Sequence, residues 1–236
     1  MLTILACLVV GIFAVGFVRR IGIFARCPAP LKIALTPAPT TTAGVAWRLC
    51  TEVLFFHSLF KGDRWAWFGG ILFHGGLLLV LLRHLRYFVE PLPAWFAQVQ
   101  MVGVVAGMVM VGGVGLLLLR RLGVDRVRHI SAPADYLWLL LFLGLGTSGL
   151  LLRFGLRPDI VTIKTTMLNL WYYPQTLPLL LPGDFLFLGH LTMAAILLVL
   201  FPFSKLMHAG GLFFSPTRNQ VDNPREKRHI NPWAKG

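Results

Sequence analysis

Acidic side chains are scarce. Only nine Asp and Glu accompany 22 Lys and Arg in 236 residues, and charged residues of both signs make up 13% of the chain against 56% hydrophobic. A soluble domain carries roughly twice that charged share, so a soluble enzyme and a disordered chain are both excluded. Cysteine is nearly missing as well. Cys7, Cys27 and Cys50 are widely spaced and no CxxC occurs, which removes zinc ribbons, iron–sulfur ligation and c-type haem attachment. Leu5-Ala6-Cys7 has a faint lipobox look, but no positive stretch precedes it. No internal repeat or low-complexity tract is visible.

What is abundant is uninterrupted apolar sequence. Five stretches are long enough to span a bilayer at about 20 residues per crossing: residues 1–18, 65–82, 95–119, 136–152 and 185–204. Lipid offers a backbone no hydrogen-bond partners, so each run is expected as a helix and the fold as an all-α integral membrane bundle of five transmembrane helices. The charges Arg19-Arg20 follow the first run rather than precede it, the reverse of a cleavable signal, so this run is read as a retained helix. Residues 45–60 are apolar but carry Arg48 and Glu52 and read as an interfacial helix. Residues 165–183 are uncharged but hold Pro174, Pro178 and Pro182, which argues for an interfacial or re-entrant segment rather than a straight span. Residues 27–44, rich in Pro, Thr and Ala, read as a linker.

The basic excess is distributed unevenly. Alternating the five spans places Arg83, Arg86, Arg153, Arg157 and Lys164 on one side and the other seventeen Lys and Arg on the opposite side. By the positive-inside rule this predicts an N-out, C-in bundle; the membrane is expected to be a bacterial or archaeal cytoplasmic one. Membrane lipid is therefore the expected surrounding, and the basic balance is attributed to topology and not to nucleic acid. Residues 1–209 form the expected membrane domain and residues 210–236 a basic cytoplasmic tail. Attraction to anionic lipid and docking of a cytoplasmic partner are both open for that tail.

Four histidines sit at or within the spans: His74 and His84 on the second, His190 and His208 on the fifth. An imidazole in hydrocarbon needs a partner, and intramembrane ionisable residues point to function. Two neutral imidazoles from facing helices are what a b-type haem requires as axial ligands. Antiparallel helices pair His74 with His208 toward one face and His84 with His190 toward the other, which predicts two haem b groups. The spacings differ, however. Ten residues rise about 15 Å along a helix and eighteen about 27 Å, so tilt has to absorb about 12 Å. Gly75, Gly76 and Gly189 beside the ligands suit close approach of a macrocycle or of another helix. Arg64, Arg83, Arg86 and Arg153 are candidates for contacts to haem propionates or quinone, although basic residues at span ends also serve as topology anchors. His57, His129 and His229 lie outside this pattern.

These spacings, with Leu72-Phe73-His74-Gly75-Gly76 and Phe201-Pro202-Phe203-Ser204-Lys205-Leu206-Met207-His208, resemble the gamma-subunit cytochrome b of respiratory nitrate reductase. The resemblance covers nearly the whole chain. Gly62-Asp63-Arg64-Trp65, the run from His208-Ala209-Gly210-Gly211 to Ser215-Pro216-Thr217-Arg218-Asn219-Gln220, and His229-Ile230-Asn231-Pro232-Trp233 are similar to the DsrM-type cytochrome b of the dissimilatory sulfite reductase-linked membrane complex. The resemblance implies an electron-transfer subunit with quinone or quinol reacting near the outer haem, where Arg83, His84 and Arg86 are candidates. It implies partners: a cytoplasmic iron–sulfur subunit similar to the heterodisulfide reductase catalytic subunit, and further membrane and periplasmic cytochrome subunits. Where the nitrate reductase family has a lysine important for quinol on the third helix, this chain has Gln98. Three other readings compete: the b subunit of a formate dehydrogenase or hydrogenase, a proton-coupled transporter with histidine relays, and a structural anchor.

Overall fold

In the computed structural model, residues 2–27, 34–172 and 185–223 are described, and among them every regular element is helical. The long helices are α1 (Leu2–Arg26), α4 (Arg64–His84), α5 (Phe96–Gly123), α7 (Pro133–Leu151) and α9 (Phe185–Leu200). Shorter ones are α2 (Thr42–Phe55), α3 (His57–Gly62), α6 (Asp125–His129), α8 (Ile160–Tyr172), α10 (His208–Gly211) and α11 (Pro216–Asn219). Five stretches are long and apolar enough to cross a membrane: Thr3–Arg26, Arg64–Tyr87, Gln100–Gly123, Pro133–Leu156 and Phe185–Phe203. The expected five-span all-α architecture is thus present, with one extension. The first helix continues past Arg19-Arg20 to Arg26, since arginine is a good helix former and a cation in the last turn suits the helix dipole.

The chain forms two compact units. In the first, residues 59–197, α4 lies directly on α5. A Cβ on Gly76 would meet the Ala106 carbonyl and the Met110 amide at 2.8 Å, and one on Gly113 would meet the Phe73 amide at 2.6 Å. Gly76 is therefore committed to helix contact, the small-residue packing that lets membrane helices approach when no hydrophobic drive separates protein from lipid. α7 packs against the same pair through the edge-to-face rings of Phe73 and Phe142, 4.9 Å apart. Asp63 starts α4: its Oδ1 accepts from the Ala66 amide at 2.9 Å, and its Oδ2 pairs with Arg120 at the far end of α5. One carboxylate thus caps one helix and ties it to the next.

α8 begins earlier than the proline-rich segment suggested by the sequence. The Asp159 carboxylate accepts from the Val161 and Thr162 amides and nucleates a helix ahead of Thr165. Ile163 and Met167 then pack on Phe187 of α9, with Tyr87 and Leu152 alongside. Residues 173–184, which contain Pro174, Pro178 and Pro182, lie outside the described residues.

In the second unit, residues 8–58 and 198–236, the fifth span does not continue as one straight helix to His208. α9 ends at Leu200, Phe201–Phe203 form a 3-10 turn, and Ser204 is extended before a further 3-10 turn at Lys205–Met207. Pro202 lacks an amide donor, and its ring clashes with the carbonyl four residues back, which ends the ladder there. The turn is used: Pro202 is fully buried, and a Cβ on Gly16 of α1 would meet it at 2.8 Å. The eighteen-residue spacing from His190 to His208 is therefore not a helical rise of about 27 Å.

A buried carboxylate organises the rest of this unit. Thr41 caps α2, and Phe56 ends it in the left-handed region with φ 48. The chain turns back there, so the Ser58 amide reaches the Glu52 carboxylate at 3.2 Å while the Ser58 hydroxyl also donates to it. Arg218 of α11 completes the cluster at 2.9 Å. Residues 28–33 and most of the basic tail, 224–236, lie outside the described residues.

Two carboxylates carry the testable part of this scaffold. Burial alone would raise the Glu52 carboxyl, but the Ser58 hydrogen bonds and the Arg218 charge outweigh it and hold it below its usual 4.5. Asp63 is held below 3.8 by the Ala66 amide and by Arg120. For both, the stabilisation is complete above the unfolded-state value and lost as pH falls through the lower folded value. The melting temperature in detergent is expected to be flat from pH 7 to 5 and to drop below pH 4. Asp63→Ala is expected to cost about 1 kcal/mol and Glu52→Ala about 1–3 kcal/mol, both read as reduced thermal midpoints. The acid-induced drop should shrink in each variant.

Candidate functional site

A cavity of about 420 Å³ opens within the first unit, walled by α4, α5, α7, α8 and α9. That is within the range of cofactor pockets, roughly 300–1,000 Å³. Most of its wall is aliphatic or aromatic. The exceptions are His84, His190, Tyr87, Arg83, Arg153 and Arg157, and among the described residues no acidic side chain lines it. Four glycines, Gly103, Gly107, Gly146 and Gly149, thin the walls on α5 and α7. A Cβ on Gly103 would meet the Arg83 side chain at 2.8 Å, and one on Gly149 would meet the His190 ring at 3.4 Å. Larger residues would displace the two side chains that matter most.

His84 and His190 face each other across this space. Their ring centres are 6.3 Å apart and their planes are inclined by 13°. A direct hydrogen bond between two imidazoles would bring the centres to about 5.2 Å. A single metal ion between them, with each metal–nitrogen bond about 2.0 Å and each nitrogen about 1.1 Å from its ring centre, requires about 6.2 Å. The observed separation is longer than the first arrangement and leaves room for the second.

The hydrogen bonds of the two rings leave the same nitrogen for that purpose. His84 Nδ1 donates to the Val80 carbonyl at 2.7 Å, and a carbonyl can only accept. The neutral ring therefore carries its proton on Nδ1, and Nε2 is a bare lone pair. His190 Nδ1 lies 2.8 Å from Ser148 Oγ, and the Ser148 hydroxyl donates to the Leu145 carbonyl at 3.1 Å. With its own proton so used, the hydroxyl accepts from His190, which fixes the same tautomer. Locking the outer nitrogen so that the inner one can bind is the usual arrangement for histidines that bind metal. Among the described residues no group of three or more His, Cys, Asp or Glu could hold a metal ion, and His84 and His190 are the pair of side chains that could hold a haem iron.

Local backbone irregularity brings the cations to the same place. α4 tightens into a 3-10 turn at Leu85–Tyr87, which sets the Tyr87 ring 6.0 Å from His84. α7 widens into a π-helical turn at Leu152–Leu156, closed by Arg157 in the left-handed region at φ 46. Such turns concentrate at functional sites, and here the turn carries Arg153 and Arg157 to the rim. Arg83 is anchored by the Gln100 carbonyl at 3.3 Å. Three guanidinium groups, with no carboxylate among the described lining residues, suit an anionic group such as a pair of propionates.

The other sequence-predicted residues lie elsewhere. Arg86 donates to Gln100 Oε1 at 2.8 Å and lies over the Tyr87 ring, beside the cavity and not in its wall. Arg64 is at the other end of α4, over the Phe60 ring. His74 Nδ1 bonds the Gly70 carbonyl at 2.8 Å in the same unit, and His208 Nδ1 bonds the Lys205 carbonyl at 2.9 Å in the second. An imidazole bonded to the carbonyl four residues back is not diagnostic by itself, since exposed His129 does the same with Asp125. What distinguishes His84 is the ring opposite. Gln98 is exposed near the start of α5. Sequence reasoning missed Ser148, Tyr87 and Arg157 as site residues. For Ser148 the available signal was a hydroxyl in the apolar run of α7, since such groups hydrogen-bond across membrane helices.

Residues 43–221 match the family described as nitrate reductase gamma subunit. A protein of Archaeoglobus fulgidus named Hdr-like menaquinol oxidoreductase cytochrome b-like subunit is 35% identical over 266 aligned residues, covering 95% of this chain and 80% of its own. A protein of the same name from Archaeoglobus profundus is 32% identical, covering 94% of this chain and 79% of its own. With its five apolar helices, this multi-pass membrane chain belongs to the nitrate reductase gamma subunit family of membrane cytochrome b-like proteins.

Proposed function

We propose that this protein is a dihaem b cytochrome that moves electrons between the quinone pool and a cytoplasmic iron–sulfur subunit. The observation that carries the reading is the facing pair His84 and His190, 6.3 Å apart with both Nδ1 atoms occupied. When bound, each haem supplies a one-electron iron couple, and two at different depths span the membrane between quinol and a cytoplasmic acceptor. His84 and His190 hold one group by Nε2, and His74 and His208 are assigned to the other. With each iron held by two histidines, the groups would supply one-electron transfer rather than oxygen binding.

The remaining cavity residues orient and neutralise. Arg83, Arg153 and Arg157 place positive charge at the mouth, where propionate carboxylates are expected. The aliphatic wall excludes water, which keeps the field of those cations strong. Tyr87 and the Arg86–Gln100 pair are placed to meet a quinol head group beside the same site. The names of the two archaeal relatives support menaquinol as the quinol and an Hdr-like iron–sulfur partner. The tail similarity to DsrM-type cytochromes favours a complex of dissimilatory sulfur metabolism with further membrane and periplasmic cytochrome subunits. The uneven distribution of Lys and Arg supports an N-out, C-in orientation in a bacterial or archaeal inner membrane. That orientation puts His84 and His190 toward the outside and the basic tail on the side of the iron–sulfur subunit.

Optical spectroscopy of the purified chain tests the reading directly. Two b-type haems per chain are expected, each with the spectrum of bis-imidazole ligation. His84→Ala and His190→Ala should each remove the same single haem and leave the other. His74→Ala and His208→Ala should remove the other one. A folded wild-type protein without visible absorbance, produced with ample iron, would overturn the assignment.

A further inference from the structure

The two imidazoles across the cavity secure their Nδ1 protons differently. His84 uses a carbonyl of its own helix, Val80, as His74 and His129 also do with theirs. His190 reaches across to another helix. Its Nδ1 meets Ser148 Oγ at 2.8 Å, and the Ser148 hydroxyl donates to the Leu145 carbonyl at 3.1 Å. Ser148 is buried, only 4% exposed. A Cβ on Gly149, next in sequence, would lie 3.4 Å from the His190 ring, in van der Waals contact. α7 thus supplies a hydroxyl at the place where α9 presents the ligand.

We propose that Ser148 is a positioning residue that sets the tautomer of His190 and, through it, the potential of the iron held between His84 and His190. The proposal rests on the haem reading above. An acceptor on Nδ1–H raises the basicity of the opposite nitrogen, and a more basic ligand stabilises the oxidised iron over the reduced. A hydroxyl that itself donates onward is polarised into a stronger acceptor, so Leu145 takes part as the far end of the chain. Without the hydroxyl, the His190 Nδ1 proton is left to the Leu145 carbonyl, which is also within its reach. The polarised acceptor is then lost, and His190 is a weaker ligand. The reduced form then gains relative to the oxidised one. Because the hydroxyl lies on a different helix from the ligand, a sideways shift of α7 against α9 alters the potential with no change at the iron.

The test is a redox titration, followed optically and by electron paramagnetic resonance, of the haem-loaded full chain as wild type, Ser148→Ala and Ser148→Cys. Cysteine keeps the volume of serine but is a weak acceptor. Both variants are expected to shift the oxidised-to-reduced ratio of one haem three- to tenfold toward the reduced form, a tenfold change being 59 mV for one electron. The resonance of the same haem should move, and the second haem should not. Wild-type behaviour in Ser148→Ala overturns the proposal. So does a shift in Ser148→Ala with wild-type behaviour in Ser148→Cys, which assigns Ser148 a packing role. If Ser148→Ala loses that haem, Ser148→Cys decides: a shifted potential or the same loss supports the proposal, and a wild-type potential overturns it. A haem-free wild type fails the functional reading itself and is recognisable as such before any variant is compared.

Discussion

An imidazole in an apolar interior has two nitrogens to satisfy, and at His84 and His190 only one of each is satisfied by protein. The other two nitrogens are bare lone pairs that cannot bond each other, and a shared cation would suit both. Everything around the cavity is compatible with that need. The helices are spaced by glycine where the rings stand, the wall is aliphatic where a flat macrocycle would lie, and guanidinium groups gather where charge would emerge. A packing role for the two histidines would leave the spacing, the tautomers and the cations as separate coincidences.

α7 has more influence on this site than its sequence suggests. It contributes no candidate ligand, yet it provides Ser148 to orient one, Gly149 to make room for it, and the π-helical turn that turns Arg153 and Arg157 toward the rim. The strained backbone at Arg157 is a local cost of order 1–3 kcal/mol, offset by the helices that pack on either side. In the membrane, where helix association depends on close fit and on hydrogen bonds between helices, such a helix can hold a ligand without touching the metal.

The second unit follows different physics. Its central contact is the Glu52 carboxylate, buried and surrounded by the Ser58 amide, the Ser58 hydroxyl and Arg218. Burial of one charge is tolerated there because three donors converge on it. The contact ties α2 to the segment that precedes the basic tail, and Pro202 seats against Gly16 to anchor the break in the fifth span. A sequence motif that resembled a simple continuation of a helix to His208 is thus a turn with its own packing role.

Much of the architecture was legible in the order of residues. Apolar runs of spanning length can satisfy their backbones in lipid only as helices, so the five spans follow from composition and length. The four span histidines stand out for the same reason, since hydrocarbon does not tolerate an unpaired imidazole. Other features are set by contacts between distant positions and have no local signature. Ser148 lies 42 residues from the ring it serves, Glu52 is 166 residues from Arg218 by position, and the widening of α7 that brings Arg157 to the cavity depends on what packs beside it. Composition decided that the chain would be a membrane helix bundle with histidines needing partners. Only the tertiary structure decided which nitrogens are free and at what separation, because tautomer and spacing belong to pairs of helices and not to either one alone.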